Sequence, residues 1–143
     1  MDALTAATAL QLPVRLQGLQ LGRPVDFLLA TDTWHGLGFV VLCRDESERF
    51  LPYAACQPKV DEIAVGSALM LLEDVEFYRT RGASFRGLLG AEVEQRGRVA
   101  GTLRDLVLGR GGAVGELLVE RDGEPARLPA AGCRVVCPRA SAA

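Results

Sequence analysis

Leu37-Gly38-Phe39-Val40-Val41-Leu42-Cys43-Arg44-Asp45, followed by Phe50-Leu51-Pro52-Tyr53-Ala54-Ala55, comes back later in the chain. It returns as Val114-Gly115-Glu116-Leu117-Leu118-Val119-Glu120-Arg121-Asp122, followed by Arg127-Leu128-Pro129-Ala130-Ala131. Glycine, the Arg-Asp pair and Leu-Pro recur at one offset of 77 positions, from Gly38 to Gly115. Solenoids and propellers repeat every 20–50 residues or so; a longer period marks a whole folding unit copied once. Leu37 to Cys43 is a continuous apolar run between Gly36 and Arg44-Asp45-Glu46-Ser47, which predicts a strand. Asp122-Gly123 after the second copy predicts a hairpin, because a type I′ turn needs positive φ at both central residues.

Outward from these strands the pattern stays short and alternating. Leu12 to Leu16 and Val25 to Ala30 read as strands, with Gly18 and Gly22 between them and the turn Thr31-Asp32-Thr33-Trp34-His35-Gly36 after them. Arg49 to Tyr53 returns as a strand, Gln57 to Asp61 is a loop, and Ile63-Ala64-Val65 with Ala68 to Leu72 completes the half. In the second half Glu92 to Gln95 and Val99 to Leu103 form a hairpin about Arg96-Gly97, and Leu106 to Leu108 leads into the turn Gly109-Arg110-Gly111-Gly112. Arg127-Leu128 and Cys133 to Val136 are the last strands. Helical periodicity of useful length is missing, and strands every 8–12 residues or so indicate a small barrel or sandwich. Matching Gly22 with Gly90 leaves the first copy nine residues short before its repeated strand, which predicts a shortened opening hairpin.

Length and charge bound the answer further. A chain of 143 residues, 49% of them hydrophobic, is one ordinary domain or two very small ones. Half-length units bury too little surface to be stable alone, so the copies are expected to lean on each other or on a second chain. Residues 1–78 carry five basic and eleven acidic side chains, residues 79–110 seven arginines against three acids, and residues 111–143 four of each. The stretch from Arg79 to Arg110 is thus the one basic region, read either as a complement to the acidic first half or as a surface for an anionic partner. The overall charge of −2 argues against general nucleic-acid binding, since phosphate affinity grows with the charges neutralised. Lys59 is the single lysine, so the arginine content reads as GC-rich codon usage rather than as phosphate recognition.

Cys43, Cys56, Cys133 and Cys137 form no CxxC pair and read as small buried hydrophobes of a reduced protein, with Cys133 and Cys137 on one strand face. The first residues, Met1-Asp2-Ala3-Leu4-Thr5, lack the basic and apolar regions of a signal peptide. The most apolar run, Ala64 to Leu72, is too short to span a bilayer. A cytoplasmic protein with no transmembrane segment is the expectation.

The second half carries a resemblance. Phe85-Arg86-Gly87-Leu88-Leu89-Gly90-Ala91-Glu92-Val93, then Gly97 to Leu108, then Val114 to Val119 and Ala126 to Pro129, resembles the PRC-barrel family. Its "lGkv.Dvlvd" element maps onto Ala100 to Leu108 and its "R-x-LP" element onto Arg127 to Pro129, and again onto Arg49 to Pro52. The similarity spans residues ~15–137 and is better in the second copy. It implies small β-barrels in adaptor roles, as in the cytoplasmic part of the photosynthetic reaction-centre H subunit and the C-terminus of a ribosome maturation factor, and no shared catalytic residues. Gly90 and Gly101 would permit tight turns or close strand approach, and Val93, Val99, Leu103, Leu106 and Leu108 would supply the inward face.

The remaining constellations have plain readings beside functional ones. His35 is the single histidine and lacks a nucleophile and an orienting partner in its sequence context. Trp34 reads as the lid of a barrel end or as a partner contact. Asp45-Glu46-Ser47-Glu48 and Glu73-Asp74-Val75-Glu76 read as solvated turns. Gly109 to Gly112 lacks the Gly-Lys-Ser/Thr ending of a phosphate loop and reads as a hairpin turn. Phe77-Tyr78-Arg79-Thr80-Arg81 reads as a linker strand packing Phe77 between barrels, or as an interface of aromatic and Arg anchors.

The expectation is an all-β protein of two tandem PRC-barrel-like β-barrels. Residues 1–11 form a flexible arm, 12–78 the first unit, 79–137 the second and 138–143 a flexible tail. The resemblance implies a non-enzymatic interaction or scaffold module without cofactor or metal, binding a protein partner or itself as a homodimer. Its candidate contacts are Trp34, Phe77, Tyr78, Arg79 and Arg81. The alternatives are a ribosome-associated assembly factor using the 79–110 stretch and an accessory protein of a membrane complex.

Overall fold

The computed structural model describes residues 4–136. The order is β1 (Leu4–Thr5), α1 (Ala6–Ala9), β2 (Val14–Leu16), β3 (Leu19–Ala30), β4 (His35–Cys43), β5 (Glu48–Pro52), β6 (Cys56–Pro58), β7 (Ile63–Val65), α2 (Val75–Arg79), β8 (Ala83–Ser84), α3 (Phe85–Leu88), β9 (Glu92–Gln95), β10 (Arg98–Leu108), β11 (Val114–Arg121), β12 (Glu124–Pro129) and β13 (Cys133–Val136). The strands form two sheets. One runs β5-β4-β3-β2-β7-β6 and takes β8 against β3; the other runs β12-β11-β10-β9-β13 and takes β1 against β10. The protein is all-β, with two barrel-like units in tandem.

The units match along the opening hairpin and the three long strands, but the last neighbour differs: β7 runs parallel to β2, whereas β13 runs antiparallel to β9. The ladder Phe27–Phe39–Leu51 across β3, β4 and β5 is matched by Leu106–Leu117–Leu128 across β10, β11 and β12. The spacing between equivalent residues falls from 79 in the long strands (Phe27 to Leu106) to 78 in the next (Phe39 to Leu117) and 77 in the third (Leu51 to Leu128). The first copy therefore has one extra residue in each of the two connecting turns. The match of Gly38 with Gly115 is slipped by one position: Gly38 stands opposite Pro52, and Glu116 is the residue opposite Pro129.

The same spacing corrects the opening hairpin. Gly22 is the counterpart of Gly101, not of Gly90. A Cβ at Gly22 would lie 2.5 Å from the Leu42 carbonyl oxygen, and one at Gly101 2.7 Å from that of Glu120. Both glycines let the long strand approach the backbone of its neighbour. The β2–β3 hairpin is complete, turning at Gln17-Gly18 (φ 49° and 85°) as β9–β10 turns at Arg96-Gly97 (φ 54° and 80°). The shortening amounts to one residue, three in β2 against four in β9.

Residues 1–11 do not form the expected flexible arm where they are described. Leu4–Thr5 pairs with Leu108 and Val107 of β10, and Ala6 and Ala9 of α1 are fully buried. The arm's equivalent, β8 and α3, pairs in turn with Leu28 and Leu29 of β3. Each unit thus lends its opening strand and helical turn to the long strand of the other. An aspartate fixes each exchange. Asp26 Oδ1 accepts from the backbone N–H of Phe27 (2.8 Å) and Arg86 (3.1 Å), and Oδ2 accepts from the Ser84 hydroxyl. Asp105, its counterpart, accepts from Leu106 N–H (2.8 Å) and Ala7 N–H (3.0 Å). The helix N-caps correspond too, with Thr5 accepting from Thr8 N–H and Ser84 from Gly87 N–H.

The exchange makes one core of two small ones. A single cluster runs from Ala6, Val14, Phe27 and Phe39 to Phe85, Val93, Leu103, Leu106 and Leu117. This is the mutual support that half-length units require. Val99 is the exception to the inward face read from the sequence: it is 49% exposed.

The continuous apolar run of β4 has its own cause. Phe39 and Val41 face the main core, while Val40 faces the other way into a second cluster with Leu28, Phe50 and Val75. A strand buried on both faces reads as an unbroken hydrophobic run. The cover on that outer face is α2, where a linker strand was expected. The boundary set between residues 78 and 79 falls inside α2, and the second unit opens at Ala83. The tail over 138–143 and Cys137 lie outside the described residues.

Candidate functional site

Four of the five candidate contact residues lie together on one short segment, and the fifth lies elsewhere. Asp74 caps α2 by accepting from Phe77 N–H at 3.2 Å. That cap sets the helical turn so that Val75 is buried and Tyr78 stacks on Phe50, ring centroids 4.0 Å apart and 9° from parallel. Phe77 points away from the sheet and is 43% exposed. It meets Tyr78 edge-on at 5.0 Å, and the Arg81 guanidinium carbon lies 3.8 Å above its ring. Such a cation–π pair contributes about 0.5–1 kcal/mol when exposed. It holds ring and charge as one preformed surface. Phe77 therefore does not pack between barrels as a linker residue would.

Arg79 turns back toward the sheet, pairing with Glu48 at 2.7 Å and Glu76 at 3.4 Å. Arg49 bridges Asp45 and Glu73, each at 3.6 Å. The two acidic clusters are thus tied to two arginines at the margin of the aromatic patch. Among the described residues no three His, Cys, Asp or Glu side chains are grouped to hold a metal ion.

Trp34 is 7% exposed and offers no free face to a partner. It sits in left-handed backbone (φ 52°) at the β3–β4 turn. Its Nε1–H donates to the Cys133 carbonyl at 3.1 Å, and its own carbonyl accepts from Val114 N–H at 2.9 Å. It is a clamp between the units, close to the lid reading. His35 is exposed beside it and bridges to Ala113.

The seven arginines of the 79–110 stretch do not make one surface. Arg79 pairs with Glu48 of the first half, Arg104 with Glu120 of the second, and the Arg86 guanidinium donates to the Val25 carbonyl. Among the described residues, Arg79 alone of these seven pairs with carboxylates of the acidic half.

Sequence reasoning missed a cleft of about 870 Å³ between the units, lined by Leu4, Tyr53, Cys56, Leu108, Lys59 and Arg110. It exists because β1 crosses to β10, which no local signal announces. Burial pushes the Cys56 thiol there up to about 12, and burial likewise raises Cys43 and Cys133. A raised thiol holds its proton until the pH passes that value, so alkylation of Cys56 should stay negligible up to pH 9 and at pH 8 run about a thousandfold slower than for a free cysteine. Mass spectrometry of timed iodoacetamide labelling checks this; labelling at the free-thiol rate would contradict it.

No family model matches the chain, and no curated protein matches it in sequence. Among the described residues no helix is long and apolar enough to cross a membrane. What the fold defines is a class: all-β proteins of two fused, pseudo-symmetric barrel-like units.

Proposed function

We propose that the chain is a tandem PRC-barrel-like interaction module, non-enzymatic and cytoplasmic, that binds a protein partner or a second copy of itself through the Phe77–Arg81 patch. The observation that carries this is an aromatic ring left exposed on a buried scaffold and capped by an arginine, the residue types that anchor interfaces. The exposed side chains Leu69 and Met70 precede it in the same inter-unit segment. The family reading rests on the sequence resemblance, and the capping Asp105 sits at the aspartate of the "lGkv.Dvlvd" element. The ribosomal alternative draws less support, because the arginines it needs are scattered over several faces.

Phe77→Asp tests the proposal. Its ring is not in either core, so stability should fall only by about 1 kcal/mol, the size of the lost contacts to Arg81 and Tyr78. Light scattering should show loss of a dimer, or co-purification should show loss of a stoichiometric protein partner. A variant that behaves as the wild type in both measurements refutes the patch as the contact.

A further inference from the structure

The duplication made the same hollow twice, and the two copies have diverged. In each unit the tip of the opening hairpin curls against the end of the strand after the long one. In the first, Leu19, Gln20, Leu21 and Cys43 line the hollow, with Ala68 and Leu71 beside them and with Arg44 and Arg49 balanced by Asp45, to which Arg49 is paired. In the second, the equivalent positions 98, 99, 100 and 121 hold Arg98, Val99, Ala100 and Arg121, joined by Arg96 and Gln95, around about 500 Å³. With the spacings of 79 and 78, the arginines replace Gln17, Leu19 and Cys43.

Two of the acids nearby are engaged elsewhere, and two, Asp122 and its neighbour across the ladder Glu124, sit beside Arg121. Glu94 pairs with Arg134 at 2.8 Å and Glu120 with Arg104, and Asp122 stands 4.0 Å from Arg121. Among the described residues, neither Arg96 nor Arg98 has a carboxylate within ion-pair distance. Three arginines around one hollow, with two acids at its Arg121 edge, leave a local excess of positive charge on a chain of net charge −2. Arginine presents a planar fork of donors suited to two oxygens of one oxyanion. The type I′ turn at Arg96-Gly97 holds the first of the three at the rim.

We propose that this hollow binds a phosphomonoester dianion, either a small phosphorylated molecule or a phosphorylated side chain. A compact dianion can meet three arginines that line one hollow; an extended polyanion would need a basic track that the scattered remaining arginines do not provide.

The test titrates the full chain at constant ionic strength with inorganic phosphate and with a phosphoserine peptide, following arginine Nε–Hε signals by NMR. Signals of Arg96, Arg98 and Arg121 should move together, and Arg96→Gln/Arg98→Gln should weaken binding about tenfold. Lowering the pH from 7.5 to 5.5 should also weaken binding of the peptide, since a phosphomonoester dianion takes up a proton near pH 6. Tighter binding of the peptide assigns a protein-borne phosphate; tighter binding of inorganic phosphate assigns a small molecule. Unmoved signals, affinity unchanged in the double variant, or binding seen only with single-stranded RNA would each overturn the proposal.

Discussion

Replacing Trp34 by alanine should lower the unfolding free energy by about 4 kcal/mol, the range seen when a buried aromatic is truncated to a methyl. Two losses combine. The indole leaves a hole in the main core, and the Cys133 carbonyl loses the Nε1–H that reaches it from the other unit. A midpoint lower by on the order of 10 °C is the thermal equivalent for a chain of this size. Trp34→Phe separates the parts: it keeps most of the ring, gives up the donor and should cost about 1–2 kcal/mol. The two variants compared by chemical denaturation decide the matter. If Trp34→Ala unfolds within about 1 kcal/mol of the wild type, the clamp between the units is not where the geometry puts it.

Asp26→Ala should cost about 3 kcal/mol, since the carboxylate is buried and its loss strands donors in a place water does not reach. The Phe27 and Arg86 amides and the Ser84 hydroxyl all end on it. Hydrogen exchange gives the sharper reading: the Arg86 amide, protected by a bond 60 positions away in sequence, should exchange faster than any amide of β11. Asp105→Ala should cost about 1 kcal/mol, because that site is only half-buried and binds two donors rather than three. Equal effects at both aspartates would mean that burial does not govern the exchange.

Much of the fold was readable from local rules. The strands of both copies, the turns at Arg96-Gly97 and Asp122-Gly123, and the mutual dependence of two undersized units follow from alternation, positive-φ chemistry and surface-to-volume scaling. The candidate patch was readable in composition, since Phe77, Tyr78, Arg79 and Arg81 announce themselves as aromatics beside cations. Their geometry was not. A five-residue helix carries too little periodicity to separate from a strand, so α2 looked like a linker. For Trp34 the polar turn left both a lid and a partner contact open, and what decides between them is the bond to Cys133, 99 positions away.

The sequence alone determined that one all-β unit is present twice, because pleat alternation and turn residues act between near neighbours and survive copying. Tertiary structure decided the rest. Gly38 aligns with Gly115 by letters, yet Glu116 takes its place in the ladder, because the buried face chooses the register and a one-residue slip would turn it out to water. Nothing in Leu4-Thr5 or Ala83-Ser84 says which long strand each will join. That choice falls to the distant aspartates and to a core that closes only when each arm crosses to the other unit.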